Sequence, residues 1–192
     1  MKLNLGCGTK KMPGFVNVDL RFNPNPTEEP NKLYSEPDVI DDVSKLEKFE
    51  DNTIDLIYCC HVFEHFKKNE RLNVLKRWFE VLKPGATLRL AVPDFEAVAK
   101  GYVNKIVPLE KLWSSLNGSQ RHPYDFHYHC YDFDHLKSDL ESIGFTNVRR
   151  YDWRKTEHAD IDDYSRAYHP HMDFDGFHLS LNVEADKPLT SL

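Results

Sequence analysis

The sequence predicts an open α/β sheet within a single domain spanning residues 1–192, on two observations. Short apolar segments of strand length alternate with segments in which apolar residues recur at helical spacing. With right-handed crossovers, this order gives a twisted, mostly parallel sheet of seven strands with helices on both faces. In addition, the first predicted strand ends in a glycine-rich turn, and an acidic residue closes the second. Ligands bind at this edge of such sheets.

The remaining elements follow from the apolar spacing. Leu72, Leu75, Phe79 and Leu82 predict a helix over 69–82 whose apolar stripe packs on the sheet. Residues 54–60 are almost continuously apolar, which is typical of a parallel strand covered on both faces. The predicted strands are 3–5, 15–18, 38–40, 54–60, 86–92, 146–153 and 177–184, and further helices follow Asp94 and cover 109–116 and 134–143.

Three long loops interrupt this pattern, at 21–37, 118–133 and 154–176. The first contains four prolines, so it is neither a regular helix nor a central strand. It leaves from the predicted ligand edge and is therefore expected to be a surface excursion or a lid. The polar loop at 154–176 either reaches elsewhere on the molecule or supports a subunit contact.

The spacing within the first turn indicates which ligand it binds. Gly6 and Gly8 allow a sharp turn, and Asp19 at the end of the second strand can accept hydrogen bonds from two ribose hydroxyls. A dinucleotide site would have a third glycine where Lys11 stands and an acidic residue about 20 positions further on. Pro13 also prevents a long helix after the turn, which a pyrophosphate would need. An adenosine without phosphate fits this turn better.

Leu-Asn-Leu-Gly-Cys-Gly at 3–8 and Val-Asn-Val-Asp at 16–19 resemble the first two cofactor motifs of the class I S-adenosylmethionine-dependent methyltransferases, in particular a small type-11-like subgroup. The resemblance implies a Rossmann-like sheet with an antiparallel last strand, S-adenosyl-L-methionine as the cofactor, and direct methyl transfer. Asp42 matches an adenine-contacting position, but an acidic residue there is equally an N-cap. The implied cofactor contacts are Leu5, Gly6, Cys7, Gly8, Asp19, Leu20, Asp42, Val43 and His61.

The fourth predicted strand ends in Cys60-His61-Val62-Phe63-Glu64-His65, which resembles the ending at the same strand tip in many small-molecule methyltransferases of this class. In that fold, the tip faces the methyl group. His61, Glu64 and His65 are also possible zinc ligands, but no further ligand stands at an obvious spacing, so no metal is expected. The Asn-Pro-Pro-aromatic motif of enzymes that methylate nucleic-acid bases or glutamine is absent here.

A histidine-rich and aromatic segment at 120–133 supplies further candidates. Such side chains suit a pocket that holds a ring or a sugar and accepts a proton from it, although they can equally pack over the sheet edge. The candidates for proton transfer are His61, His127 and His129, with Glu64 or Asp94 as orienting partners. Asp94 is best interpreted as the N-cap of the next helix.

Composition excludes several other classes of protein. The net charge is −6 and the basic residues are dispersed, which argues against general nucleic-acid binding. No long apolar run and no secretory leader are found, so neither a membrane span nor export is expected. The four cysteines do not form metal-type pairs and are expected to be free thiols in the cytoplasm.

The resemblance therefore implies a methyltransferase that acts on a small-molecule or saccharide acceptor, at an oxygen atom. The saccharide is suggested by the association of the subgroup with sugar modification. Two alternatives remain. One is a non-catalytic partner subunit that keeps the cofactor pocket. The other is an NAD(P)-dependent oxidoreductase, which Lys11 and Pro13 oppose.

Overall fold

The computed structural model describes residues 1–21, 27, 35 and 37–189. The four α-helices within these ranges are α1 (Arg71–Val81), α2 (Phe95–Val103), α3 (Leu109–Asn117) and α4 (Phe133–Ile143), and three short 3-10 helices cover Phe63–His65, Trp153–Lys155 and Tyr164–Arg166. The strands are β1 (Lys2–Leu5), β2 (Val16–Asp19), β3 (Val39–Ile40), β4 (Ile54–Cys60), β5 (Leu82–Pro93), β6 (Thr146–Arg150), β7 (Tyr168–His169), β8 (Phe177–His178) and β9 (Ser180–Asp186).

Seven strands form one sheet in the order β3-β2-β1-β4-β5-β9-β6. The neighbouring pairs from β3 to β5 are parallel, whereas β9 runs antiparallel to both β5 and β6. This confirms the predicted open, mostly parallel sheet with one antiparallel strand. The strand order reverses between β1 and β4, and ligands of open α/β sheets bind at the carboxyl ends of strands at such a point. The turn after Leu5 and the segment after Cys60 therefore lie side by side.

The two faces of β4 pack against different parts of the chain. Ile57 and Cys59 point into the main core, together with buried residues of α1 and α4. Leu56 and Tyr58, on the opposite face, pack with Met12 of the β1–β2 loop and other apolar residues. Because both faces are covered, the strand is apolar along almost its whole length, as predicted over 54–60.

The predicted apolar stripe of α1 is rotated. Leu72 is 37% exposed, whereas Trp78 is fully buried. The helix turns Val74, Leu75, Trp78 and Val81 toward the sheet, so the expectation for Leu72 was wrong. The large Trp78 indole determines this orientation, because burying it removes more apolar surface from water than burying a leucine does.

The predicted last strand, 177–184, is in fact two strands. Phe177–His178 pairs with Tyr168–His169 in a separate two-stranded sheet, and the main-sheet strand begins only at Ser180. Between them, the Leu179 N–H donates to the Ala167 carbonyl at 2.7 Å, and the Leu179 carbonyl accepts from the Asp94 N–H at 2.9 Å. Much of the loop predicted at 154–176 is thereby tied to the sheet.

Of the other two predicted loops, the structure describes one and leaves most of the other outside the described residues. The loop after α3 runs from Gly118 to Asp132, close to its predicted bounds. Most of 21–37 lies outside the described residues, so the lid remains a prediction. All four cysteines are free thiols. None of the helices in the described ranges combines the length and apolar character needed to cross a membrane.

Candidate functional site

The glycine turn after β1 has two glycines with different surroundings. Gly6 has φ +64° and Gly8 has φ +50°, a left-handed backbone that favours glycine. A Cβ added to Gly6 would lie 2.3 Å from Val62 Cγ2, so this glycine allows the turn to pack against the tip of β4. A Cβ added to Gly8 would meet no atom within 4 Å. Gly8 therefore borders open space, where a ligand can approach the backbone closely.

Asp19 at the end of β2 is bound to this turn. Its Oδ2 accepts a hydrogen bond from the Gly8 N–H at 2.8 Å, and its Oδ1 accepts one from the Leu20 N–H at 2.7 Å. Burial raises the pKa of Asp19, and the two N–H donors act in the opposite direction. A carboxylate has about four acceptor positions. Both oxygens therefore retain lone pairs for further donors such as ribose hydroxyls.

The segment after β3 is also fixed by hydrogen bonds. Asp42 Oδ1 accepts from the Ser44 N–H at 2.9 Å and from the Ser44 hydroxyl at 2.6 Å, so this oxygen closes a turn; residues 41–53 contain no helix, and the N-cap alternative was wrong. The Val43 carbonyl accepts from Trp78 Nε1 at 2.7 Å. Among the described residues, no acceptor binds the Val43 N–H. That N–H is available to a ligand, as is the other oxygen of Asp42, which lies 3.4 Å from the Lys45 ammonium.

His61, directly after β4, is held in one orientation. Its backbone has φ +51°, a strained conformation for a non-glycine residue, and its N–H donates to the Ala91 carbonyl at 2.8 Å. The Ser180 hydroxyl donates to Asn182 Oδ1 at 2.9 Å, so it accepts from His61 Nε2–H at 3.1 Å. This chain of bonds places the imidazole proton on Nε2 and leaves a lone pair on Nδ1.

Glu64 lies beneath the tip of β4 with a fully buried side chain. Its Oε1 is 3.4 Å from His61 Nδ1 and 3.8 Å from His127 Nε2. Within the described part of the chain, neither carboxylate oxygen has a partner at hydrogen-bonding geometry. Burial raises the pKa of Glu64 to about 8. A buried carboxyl group without partners is rare in proteins and calls for a specific explanation.

Two more imidazoles face this carboxyl group. His127 Nδ1 lies 3.1 Å from the Ser115 carbonyl, and His65 Nδ1 lies 3.0 Å from the Phe126 carbonyl. A carbonyl only accepts, so each Nδ1 carries the proton and each Nε2 keeps a lone pair. Burial, then the neighbouring imidazoles, lower the pKa of His61 to about 3 and that of His65 to about 4. Burial also lowers the pKa of His127.

The residues predicted to bind the cofactor come together at the carboxyl edge of the sheet. Leu5 does not line the cleft, since its side chain is fully buried, and the contact expected through its backbone stays a prediction. The others line one cleft of about 1590 Å³, which also borders Glu64, His65 and His127: Gly6, Cys7, Gly8, Asp19, Leu20, Asp42, Val43 and His61.

Two of the predicted catalytic residues lie elsewhere. Asp94 accepts from the Ala97 N–H at 3.2 Å as the N-cap of α2, and pairs with Arg150 at 3.1 Å. His129 Nε2 lies 3.4 Å from His135 Nε2. Neither Asp94 nor His129 lines the cleft. The N-cap interpretation of Asp94 therefore accounts for its side chain.

The sequence did not indicate one wall of the cleft, which comes from the segment at 154–176. Tyr164 stands over the opening with its ring 5.3 Å from the His61 ring. The neighbouring Asp163 accepts a hydrogen bond from the Tyr58 hydroxyl at 2.7 Å, which fixes this wall to β4. The only signal in the sequence was a tyrosine in a polar insertion, and that pattern does not specify where the insertion folds.

Residues 3–90 match the model of a family described as "Methyltransferase domain". This span contains the glycine turn, Asp19, the segment after β3 and the tip of β4, whereas the rest of the cleft wall comes from residues further along the chain. The match covers just under half of the chain, and over this span the chain resembles the methyltransferase domains of the type-11 kind. No curated protein matches the sequence.

Solved structures with the same fold include SAM-dependent methyltransferases. A SAM-dependent methyltransferase from Methanosarcina mazei is 18% identical with a TM-score of 0.56, and the match covers 98% of this chain and 92% of that one. One from Archaeoglobus fulgidus is 15% identical with a TM-score of 0.54, covering 97% and 85%. The CurJ carbon methyltransferase is 14% identical with a TM-score of 0.51, covering 97% and 48%.

The family match and the fold support S-adenosylmethionine as the cofactor, and the cleft fits it. Gly8 faces open space, and Asp19 retains lone pairs on both oxygens. Residues 6–15, all of which are described, form turns and contain no helix. No helix N-terminus therefore follows the glycine turn to bind a pyrophosphate, which argues against a dinucleotide.

Proposed function

We propose that the protein is an S-adenosylmethionine-dependent methyltransferase that transfers a methyl group to a hydroxyl oxygen of a small-molecule or saccharide acceptor. The supporting observation is the buried cluster of His61, Glu64 and His127 beside the glycine turn. Methyl transfer to a hydroxyl requires a proton acceptor near the reacting oxygen, whereas a thiol or an amine needs less assistance. A carbon methyltransferase has the same fold, so the fold alone does not select the acceptor atom.

The residues that line the cofactor part of the cleft would bind S-adenosylmethionine and fix its orientation. Asp19 would accept the ribose hydroxyls, and the backbone at Gly6 to Gly8 would lie against the cofactor. Asp42 and the Val43 N–H would contact the adenine. The bound cofactor supplies a methyl group that its sulfonium has already activated. The protein's main tasks are therefore to align the acceptor with that methyl group and to exclude water.

His61 is the proposed base. When the acceptor oxygen takes the methyl group that the cofactor's sulfonium would supply, the hydroxyl proton would pass to His61 Nδ1. Ser180 keeps this nitrogen unprotonated beforehand by accepting from Nε2–H. The Glu64 carboxylate, 3.4 Å from Nδ1, would stabilise the imidazolium that forms. The lone pair on His127 Nε2, 3.8 Å from Glu64 Oε1 on the other side, would accept the proton of this carboxyl group when it is protonated.

The saccharide is supported by the walls of the cleft. Tyr164, Tyr124 and Tyr128 line it together with polar side chains. An aromatic face packs well against the C–H face of a sugar ring, and polar groups around it can bind the hydroxyls.

The first test is turnover. With a panel of sugars and small hydroxyl compounds, we expect at least one to release S-adenosylhomocysteine in a stoichiometric amount. Cofactor binding without release for any acceptor class would contradict the proposal and favour the non-catalytic partner subunit. Thermal stabilisation by NAD(P) rather than by S-adenosylmethionine would favour the oxidoreductase.

His61→Ala and His127→Ala test the role of the cluster. We expect His61→Ala to reduce turnover by about 10²- to 10⁴-fold, the usual contribution of a general base. His127→Ala should also reduce turnover, and both should change S-adenosylmethionine affinity much less, as measured by titration calorimetry. His129→Ala is the matched control, because its imidazole lies outside the cleft. Wild-type rates in both cluster variants would exclude His61 as the base.

A further inference from the structure

In the cluster at the tip of β4, hydrogen-bond acceptors point at one another with no donor between them. His61 Nδ1 and His127 Nε2 both carry lone pairs, and both approach Glu64 Oε1, at 3.4 and 3.8 Å. An ionised carboxylate is also an acceptor only. A single proton on Glu64 could donate to just one of these nitrogens at a time. A group of lone pairs buried together in this way is best satisfied by a cation.

One ligand atom from each of Glu64, His65 and His127 lies within 4.8 Å of the other two. Ligands about 2.1 Å from a tetrahedral ion lie about 3.4 Å from one another, so a small adjustment would bring the three atoms around one ion. Both histidines already donate Nδ1–H to backbone carbonyls, at Ser115 and Phe126. This is the arrangement that orients metal-binding imidazoles.

We propose that Glu64, His65 and His127 bind one divalent transition-metal ion of the zinc type. Two imidazoles and one carboxylate suit such ions, whereas magnesium and calcium prefer all-oxygen sites. The three residues border the cleft, so a fourth position remains for a ligand from the cleft, as in catalytic zinc sites. No metal is expected from the sequence because His127 comes from the loop between α3 and α4, far from the β4 tip along the chain.

The fully buried and unpartnered Glu64 carboxyl distinguishes this site from a second group of ligand-type side chains. His129, His135 and Asp139 also lie within 4.8 Å of one another. However, both oxygens of Asp139 accept hydrogen bonds from Arg71, at 2.7 and 3.1 Å. The guanidinium already neutralises that carboxylate and would repel a cation.

A bound ion would deepen the proposed function. It would polarise an acceptor hydroxyl in its open position and lower the pKa of that hydroxyl, while His61, outside the trio, receives the proton. This use of the ion rests on the proposed function, whereas ion binding itself does not. The two claims are tested separately, by metal stoichiometry and by S-adenosylhomocysteine release.

The binding test uses the untagged, metal-stripped protein with Zn²⁺, and with Co²⁺ as the spectroscopic probe. We expect one equivalent of Zn²⁺ per chain after desalting, measured by elemental analysis, and a visible Co²⁺ spectrum of low coordination number. His127→Ala and Glu64→Gln should each weaken Zn²⁺ binding by at least about 100-fold. Circular dichroism checks that each variant is folded, and His65→Ala provides a third variant should Glu64→Gln fail to fold.

His135→Ala is the matched control, because it removes an imidazole from the second group only. Its Zn²⁺ affinity should equal that of the unaltered protein. Loss of the ion in His135→Ala with retention in His127→Ala would place the ion in the wrong group and overturn the proposal. So would the absence of tight Zn²⁺ and Co²⁺ binding, even if methyl transfer is found.

Discussion

Asp19→Ala is expected to weaken S-adenosylmethionine binding by about 10³-fold. Two hydrogen bonds from ribose hydroxyls to a charged carboxylate contribute about 1.5–3 kcal/mol each, and about 1.4 kcal/mol corresponds to a tenfold change in affinity. The variant also loses the acceptor for the Gly8 N–H and the Leu20 N–H, so the turn itself would be less well held. Titration calorimetry with S-adenosylmethionine measures the effect directly.

Two further variants separate binding from folding. Asp19→Asn keeps one side-chain oxygen and the shape of the residue, so we expect it to bind with intermediate affinity and to be somewhat less stable, because its NH2 group would face the N–H of Gly8 or of Leu20. Asp175→Ala removes an exposed carboxylate outside the cleft and should bind as the unaltered protein does. If Asp19→Ala is folded and binds S-adenosylmethionine with unchanged affinity, Asp19 does not contact the cofactor.

The second large effect concerns the two glycines of the turn, which should respond differently to the same substitution. Gly6→Ala combines a left-handed backbone with a contact of 2.3 Å to Val62. We expect it to lower the free energy of unfolding by about 3 kcal/mol, from backbone strain and overpacking together. Gly8→Ala carries only the backbone cost, about 1 kcal/mol, because its added Cβ enters open space.

That open space is where the cofactor is proposed to lie, so Gly8→Ala should still fold and yet lose S-adenosylmethionine affinity by at least about tenfold. Denaturant unfolding and calorimetry on both variants give the comparison. Val62→Ala in the Gly6→Ala background is the compensating control, and it should recover part of the lost stability. Equal binding by Gly8→Ala and the unaltered protein would show that the cofactor does not approach this part of the backbone.

The bounds of a strand were predicted best where burial on both faces makes the segment continuously apolar. Ile54–Cys60 lies at its predicted bounds because it is covered on both faces. The helix α1 was located but rotated, since leucines and a tryptophan offered two alternative apolar faces and only packing on the sheet selects the one with Trp78. The break at Leu179 was not predictable, because its cause is hydrogen bonding to Ala167 and Asp94, which are distant in sequence.

In the candidate site too, residues placed by local structure were predicted, and residues placed by long-range packing were not. Gly6, Gly8 and Asp19 were identifiable because a strand, a turn and a second strand place them together locally. In the histidine-rich loop, composition marked His127 and His129 alike, but only His127 faces the cleft. The two residues are two positions apart and would lie on the same side of a regular extended segment, so the path of the loop separates them, and nothing in composition indicates how the loop lies on the sheet. Tyr164 was not identified for the same reason.

The hydrogen bonds that Gly8 and Leu20 donate to Asp19 have a consequence for how the cofactor enters. The carboxylate is already fixed in place before any ligand arrives, since both of its oxygens are held by the main chain. The entropy of ordering this side chain is therefore lost during folding and not again on association. Cofactor entry at this edge should resemble docking onto a rigid template, with a rate set by diffusion and access.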